Sequence, residues 1–76
     1  MNILVRAPLK TDDIQQLING ATIEGHTFEL VERMGISMEF AVQSEAKAQS
    51  NPVDVVKALI KSTPYGSALY FSVTKK

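Results

Sequence analysis

The sequence predicts an α+β domain in which two helices cover one face of a four-stranded antiparallel sheet. Four short stretches alternate apolar residues with other residues, as half-buried strands do. Two further segments carry apolar residues at helical spacing, and the segments follow each other in the order β-α-β-β-α-β. A single domain over residues 1–76 accounts for this pattern.

The first strand and the first helix are delimited by proline and by a candidate cap. A strand is predicted over Asn2–Arg6, and Pro8 ends it because proline cannot donate to a strand ladder. The helix is predicted to begin with Thr11 as its cap and to end near Gly20. Its apolar residues fall on one face at Ile14, Leu17, Ile18 and Ala21.

Two alternating runs, His26–Glu32 and Ile36–Val42, predict the second and third strands. A three-residue loop over Arg33–Gly35 keeps the apolar residues of both strands on one face. It also places Gly35 in the left-handed conformation that such loops require. The resulting register pairs Glu32 with Ile36, Leu30 with Met38, Phe28 with Phe40, and His26 with Val42.

The second helix has a strong start signal, because Asn51 can cap it and Pro52 occupies its first position. Its inward residues are predicted to be Val53, Val55, Val56, Leu59 and Ile60. The last strand is predicted over Ala68–Thr74, followed by a frayed Lys75–Lys76. The compact solution for this order of elements is the ferredoxin-like βαββαβ sandwich, with the first and third strands at the centre of the sheet.

Composition excludes several classes of function. Eight basic and eight acidic residues give zero net charge, so no excess of cations is present to attract nucleic acid. With no cysteine there is neither a disulfide nor a thiolate metal site, which favours a cytoplasmic protein. No apolar run approaches the roughly 20 residues of a membrane span, and no signal peptide is expected. We therefore expect no nucleic-acid partner and no membrane contact.

Enzymatic activity and cofactors are not predicted. Heavy-metal-binding domains of this topology carry paired cysteines after the first strand, where this chain has Ala7–Thr11. The same loop lacks the glycines with which acylphosphatases bind phosphate. His26 is the only histidine, and by register it lies near the Ser44–Ser50 loop with too few neighbouring ligands for a metal. We predict no catalytic, metal or cofactor residues, and a small enzyme with an unrecognised site is the third hypothesis.

The open face of the sheet is the predicted interaction surface. The register above sets Glu29 opposite Glu39, and two facing carboxylates destabilise a strand pair unless a cation such as Arg6 or a partner compensates. The face is otherwise richer in small and apolar residues than a solvated sheet requires. We expect an association module, with a second copy or another protein bound at this face or at a sheet edge. The candidate residues are Leu4, Arg6, Glu29, Val31, Glu39, Ala41 and Tyr70.

A ligand-binding domain is the alternative. The stretch Val5–Asp13 resembles the first loop of ACT domains in its proline and acidic residues, although it lacks their glycine. That resemblance implies a regulatory domain that binds a small polar ligand between protomers. The topology brings Lys10, Arg33 and Tyr65 towards the N-terminus of the first helix, and these three residues are the candidate ligand site.

Overall fold

A computed structural model describes residues 1–76, which form two helices and one five-stranded sheet. The strands are β1 (Asn2–Arg6), β2 (Thr22–Ile23), β3 (His26–Met34), β4 (Ser37–Ser44) and β5 (Ser72–Lys75), and the helices are α1 (Thr11–Ile18) and α2 (Pro52–Lys61). The strand order is β2-β3-β4-β1-β5, and all neighbours are antiparallel. The α+β class with two helices is confirmed, whereas the predicted number of four strands is wrong.

The additional strand, β2, is only two residues long and pairs with the start of β3. The chain reverses at Glu24 and Gly25, which both have positive φ, and the hydroxyls of Thr22 and Thr27 share a hydrogen bond of 3.0 Å across the pair. Two residues are too few to show alternation, so the sequence pattern contained no signal for this strand.

The β3–β4 hairpin turns at Gly35 and Ile36, not through the predicted three-residue loop. Gly35 has a φ of 59°, and a glycine with positive φ at the first central position is the pattern of a type II′ turn. Phe28 pairs with Val42 in place of Phe40, so the predicted register is wrong by two residues over this part of the hairpin. The other predicted pairs fail with it, namely Glu32 with Ile36, Leu30 with Met38, and His26 with Val42.

A β-bulge at Val31 allows a two-residue turn while the apolar residues of β3 and β4 stay on the same face of the sheet. Leu30 pairs with Phe40 and Glu32 pairs with Glu39, so Val31 is an extra residue without a partner in β4. Before the bulge the even-numbered residues of β3 face the helices, and after it they face the opposite side. Both strands thereby keep their apolar residues in the core although the turn has only two residues.

The two helices begin differently. Thr11 does not cap α1 as predicted, because Lys10 occupies the N-cap with a left-handed φ of 58° and the Thr11 hydroxyl donates to the carbonyl of Ala7 at 2.6 Å. At α2 the predicted cap is confirmed, since the Asn51 side chain accepts a 2.9 Å hydrogen bond from the backbone N–H of Val53.

The last strand is shorter than predicted because the chain stays beside α2 after the helix ends. A Cβ on Gly66 would lie 1.8 Å from the carbonyl oxygen of Ile60, so only glycine fits this approach. The strand β5 therefore begins at Ser72 and not at Ala68. Lys75–Lys76 is not frayed as predicted, since Lys75 pairs with Ile3 and the backbone N–H of Lys76 donates to Asn2.

A single apolar cluster fills the space between the sheet and the two helices. Phe28 and Phe40 are its largest fully buried side chains. Strand and helix residues contribute together, which places both helices on the same face of the sheet. The cluster consists of Ile3, Val5, Ala7, Ile14, Ile18, Phe28, Met38, Phe40, Val42, Val55, Val56, Ile60 and Val73.

Candidate functional site

The open sheet face is the side of the sheet that points away from the helices. It contains a shallow depression of about 90 Å³, lined by Leu4, Glu32, Met34, Ser37, Glu39 and Lys76. Ligand pockets in proteins usually enclose about 300–1,000 Å³. The size of this depression therefore suits part of a protein contact surface better than a small-molecule site.

Glu39 is the most strongly bonded polar side chain of this face. Its side chain is only 12% exposed, and its two carboxylate oxygens accept hydrogen bonds from Lys76 Nζ at 2.5 Å and Asn2 Nδ2 at 2.6 Å. The Lys76 bond, followed by the Asn2 bond, holds the pKa of Glu39 below its ordinary value of 4.5. The same bond raises the pKa of Lys76 above 10.5. Glu39 is thus satisfied within the chain.

The predicted opposition of Glu29 and Glu39 is wrong. Glu29 pairs with Ala41, because the register before the bulge differs by two residues from the predicted one. After the bulge Glu32 takes the position opposite Glu39. A facing pair of carboxylates therefore does occur on the open sheet face, but with a different member from β3.

The remaining predicted interaction residues have separate surroundings. Arg6 does not lie between the glutamates, since its Nε donates to Ser37 Oγ at 3.2 Å and Lys76 supplies the compensating charge. Val31 is the exposed bulge residue. Tyr70 precedes β5 and lies outside the sheet, so its predicted place on the open face is wrong. Leu4 and Ala41 are half-buried on the face itself.

The predicted ligand-site residues all surround the first turn of α1. Lys10 Nζ lies 6.0 Å from the centre of the Tyr65 ring. The guanidinium Nη1 of Arg33 donates to Asp12 Oδ1 at 2.5 Å and to Gln15 Oε1 at 3.0 Å. An anionic ligand at Arg33 would have to displace the Asp12 carboxylate, so this arrangement favours a structural role for Arg33.

His26 is a buried structural residue in this fold. Its Nε2 lies 2.8 Å from the carbonyl oxygen of Ser50 and its Nδ1 lies 2.7 Å from the hydroxyl of Ser44. Because a carbonyl only accepts, Nε2 carries the proton, and in the neutral ring Nδ1 accepts from Ser44. The ring thereby ties the loop before α2 to the end of the sheet, which agrees with the position expected from the sequence.

Exposed apolar side chains concentrate at the end of the sheet where the β3–β4 hairpin turns. Leu9, Met34 and Ile36 are 65%, 71% and 45% exposed, and we call these three residues the hairpin-end patch. The backbone N–H of Ala7 donates to the carbonyl of Ile36 at 3.0 Å, which holds the Leu9 loop beside the hairpin. This patch was not predicted from the sequence, although apolar residues beside Pro8 and Gly35 in turns were a usable signal.

A groove separates α2 from the segment that leads into β5. It measures about 340 Å³ and is lined by Lys57, Lys61, Leu69, Tyr70 and Phe71, which together we call the basic groove. Tyr70 is 91% exposed. The groove was not predicted from the sequence, because the predicted last strand included Leu69, Tyr70 and Phe71.

Comparisons with known proteins add no assignment. No protein-family model matches the chain, and neither the curated proteins nor the solved structures contain a match. Neither helix is long and apolar enough to cross a membrane. Nowhere in residues 1–76 do three or more histidine or acidic side chains come together as metal ligands would.

Proposed function

We propose that this chain is a non-enzymatic association module that pairs with a second copy of itself. The contact uses the hairpin-end patch together with the adjoining open sheet face. The observation that carries the proposal is the exposure of Leu9, Met34 and Ile36 at one end of the sheet. Each Å² of apolar surface removed from water contributes about 25 cal/mol, so a partner that covers these side chains gains stability.

The open sheet face supplies the area that the patch lacks. A stable interface buries about 800 Å² on each partner, which is more than three side chains provide. Met34 belongs both to the patch and to the depression on the open sheet face, so the two surfaces are continuous. Leu4 and Ala41 extend the small, partly apolar surface towards the middle of the sheet.

The charge distribution permits contact with a second copy. The chain has zero net charge, so two copies do not repel each other at long range. Burial of an unpaired carboxylate is costly, but Glu39 already accepts hydrogen bonds from Lys76 and Asn2 and can be covered without a new cation. A chain of this length also buries little of its own surface, which makes added burial valuable.

We propose a ferredoxin-like architecture for this module, extended by β2. The order β3-β4-β1-β5, with β4 and β1 at the centre, supports it because two split βαβ units produce this arrangement. We also propose a cytoplasmic location, which the absence of cysteine supports.

Multi-angle light scattering across micromolar concentrations tests the proposed pairing. We expect the mass to rise with concentration from 8.3 kDa towards twice that value. Substitution of Met34→Ser together with Ile36→Ser should shift the transition to at least about tenfold higher concentration, because about 1.4 kcal/mol of lost apolar burial suffices for that change.

Tyr70→Ser is the matched control, since Tyr70 is exposed and lies outside the patch. It should leave the dimerisation curve unchanged. A particle of 8.3 kDa at every concentration contradicts the proposal, as does an equal effect of the patch and control substitutions.

A further inference from the structure

We infer that the basic groove and the free edge of β5 together bind an extended, acidic segment of a different protein, which adds to the sheet as a sixth strand. This inference is separate from the proposed self-association, because the groove and the hairpin-end patch share no residue. Three properties of this region support it: an open backbone edge, an exposed apolar floor, and cations without partners.

The backbone of β5 has an edge with which no other strand pairs. The N–H of Lys76 donates to the carbonyl of Asn2, which fixes the antiparallel pattern between β5 and β1. By the alternation of such ladders, Ser72 and Thr74 also bond to β1, while Val73 turns its N–H and carbonyl outward. The Lys75 backbone points outward in the same way. An added strand can therefore form hydrogen bonds to Lys75, which is exposed, and to Val73 once the side chains over that residue, which is only 3% exposed, move aside.

The groove provides an apolar contact beside this edge. Leu69 and Phe71 pack against the core from its margin, and Phe71 directly precedes β5. Tyr70 is almost fully exposed between them. A tyrosine combines a large apolar ring with a polar hydroxyl and loses little side-chain entropy on binding, which suits it to contact with a partner chain.

The cations of the groove determine the charge of the partner. Lys57 and Lys61 are four residues apart on α2 and therefore lie on one side of the helix. Neither lysine, nor Lys75 on the edge strand, takes part in either of the two ion pairs of the structure. Like charges at this helical spacing destabilise a helix slightly, and an acidic partner removes that repulsion.

A second copy of the chain does not fit this edge. Pairing of β5 with another β5 brings two sets of lysines together, and lysines on an edge strand discourage such pairing. Lysines that only protect the edge from pairing would not need an exposed Tyr70 beside Leu69 and Phe71, so edge protection alone does not explain the groove. The combination fits a strand whose alternate side chains are acidic and point towards α2.

The probe is a fluorescein-labelled peptide of eight residues in which glutamate alternates with threonine and valine. We expect it to bind the full chain, as measured by fluorescence anisotropy, and to slow hydrogen exchange at the amides of Val73 and Lys75. Lys57→Glu with Lys61→Glu should weaken binding by about tenfold or more, since each reverses a charge at the contact. Lys47→Glu reverses one charge in an exposed loop outside the groove; as the control for Lys57→Glu and Lys61→Glu made singly, it should leave the affinity unchanged within about twofold.

A peptide of the same composition with its glutamates in one block distinguishes strand addition from simple charge attraction, and it should bind more weakly. Tyr70→Ser should also weaken binding of the alternating peptide, while Tyr70→Phe should retain most of it. Equal binding of the two peptides, unchanged exchange at Val73 and Lys75, or no binding at about 1 mM peptide overturns the inference. None of these results depends on the oligomeric state, which the light-scattering experiment measures separately.

Discussion

Glu39 shows how one carboxylate is kept on a partly apolar sheet face. Its side chain is largely covered, and a covered carboxylate without donors is strongly destabilising. Lys76 and Asn2 supply those donors from the last residue of the chain and the first residue of β1. The same pair of bonds joins the two ends of the chain to the central strand β4.

The lowered pKa of Glu39 makes the stability of the chain depend on pH. The folded state lowers the pKa of the Glu39 carboxyl below its ordinary value of 4.5. The stability that this ionised group contributes is therefore complete above pH 4.5 and is lost as the pH falls through the lowered pKa. Glu39→Gln should therefore lower the free energy of unfolding at neutral pH, and the difference from the unsubstituted chain should shrink in strong acid. Urea denaturation at several pH values measures this difference.

Glu29→Gln is the control for this experiment. Glu29 lies on the same face but is exposed and accepts no side-chain hydrogen bond, so its substitution should change stability little at any pH. A Glu39→Gln difference that stays constant from neutral to acid pH contradicts the role of the Lys76 bond.

At the scale of elements, the hairpin of β3 and β4 determines which side chains reach each face. The two-residue turn at Gly35 alone would put the apolar residues of the two strands on opposite faces. The unpaired Val31 shifts the alternation by one residue, so Phe28 and Leu30 face the helices while Met34 faces away. The composition of the core and that of the proposed interaction surface are therefore both consequences of this one bulge.

Deletion of Val31 should be tolerated, because the pairs Leu30–Phe40 and Glu32–Glu39 then become consecutive without any change of face. We expect the urea midpoint to change little and the hairpin to keep its turn. Deletion of Ala41 is the matched control: β4 has no extra residue, so Phe40 and Val42 could no longer both face the core. That deletion should prevent folding, and equal damage from both deletions contradicts the assigned bulge.

The sequence predicted the elements better than their register. The start of α2 depends on local chemistry, and the predicted Asn51–Pro52 start was correct for that reason, whereas the predicted Thr11 cap of α1 was wrong. The bulge at Val31 depends on packing between strands, which no local pattern shows. The late start of β5 likewise accompanies the close approach of Gly66 to the end of α2, which the alternation of Ala68–Thr74 does not reveal.

The candidate site shows the same contrast between features that depend on local pattern and features that depend on distant contacts. Alternation correctly placed Leu4, Glu39 and Ala41 on the face opposite the core. It could not identify Lys76 as the partner of Glu39, because that pair joins residues 37 positions apart. The basic groove could not be predicted from the sequence either, because tyrosine is common in strands but Tyr70 lies in an irregular segment.

At the scale of the whole molecule, stability rests on one small core. Thirteen apolar residues form a single cluster, and Phe40 lies in the central strand β4 within it. A chain of this length has a total stability of about 4–11 kcal/mol. Loss of any one large side chain from the cluster therefore affects the entire fold.

Phe40→Ala should cost about 3–5 kcal/mol, a large fraction of that total, and lower the urea midpoint accordingly. Circular dichroism during urea titration measures the loss. Tyr70→Ala removes an aromatic side chain of similar size from an exposed position and should change stability by no more than about 0.5 kcal/mol. Comparable losses for both substitutions would place Tyr70 in the core and contradict the described structure.

The bulge at Val31 also makes the hairpin tip a separable unit for protein engineering. Beyond Val31 the exposed residues of the tip contribute nothing to the buried cluster, and the turn needs only Gly35 to keep its shape. Recognition residues can therefore be grafted at Met34 and Ile36, with Gly35 kept for the turn and Arg33 kept for its bonds to Asp12 and Gln15, while the rest of the 76-residue chain serves as a fixed scaffold.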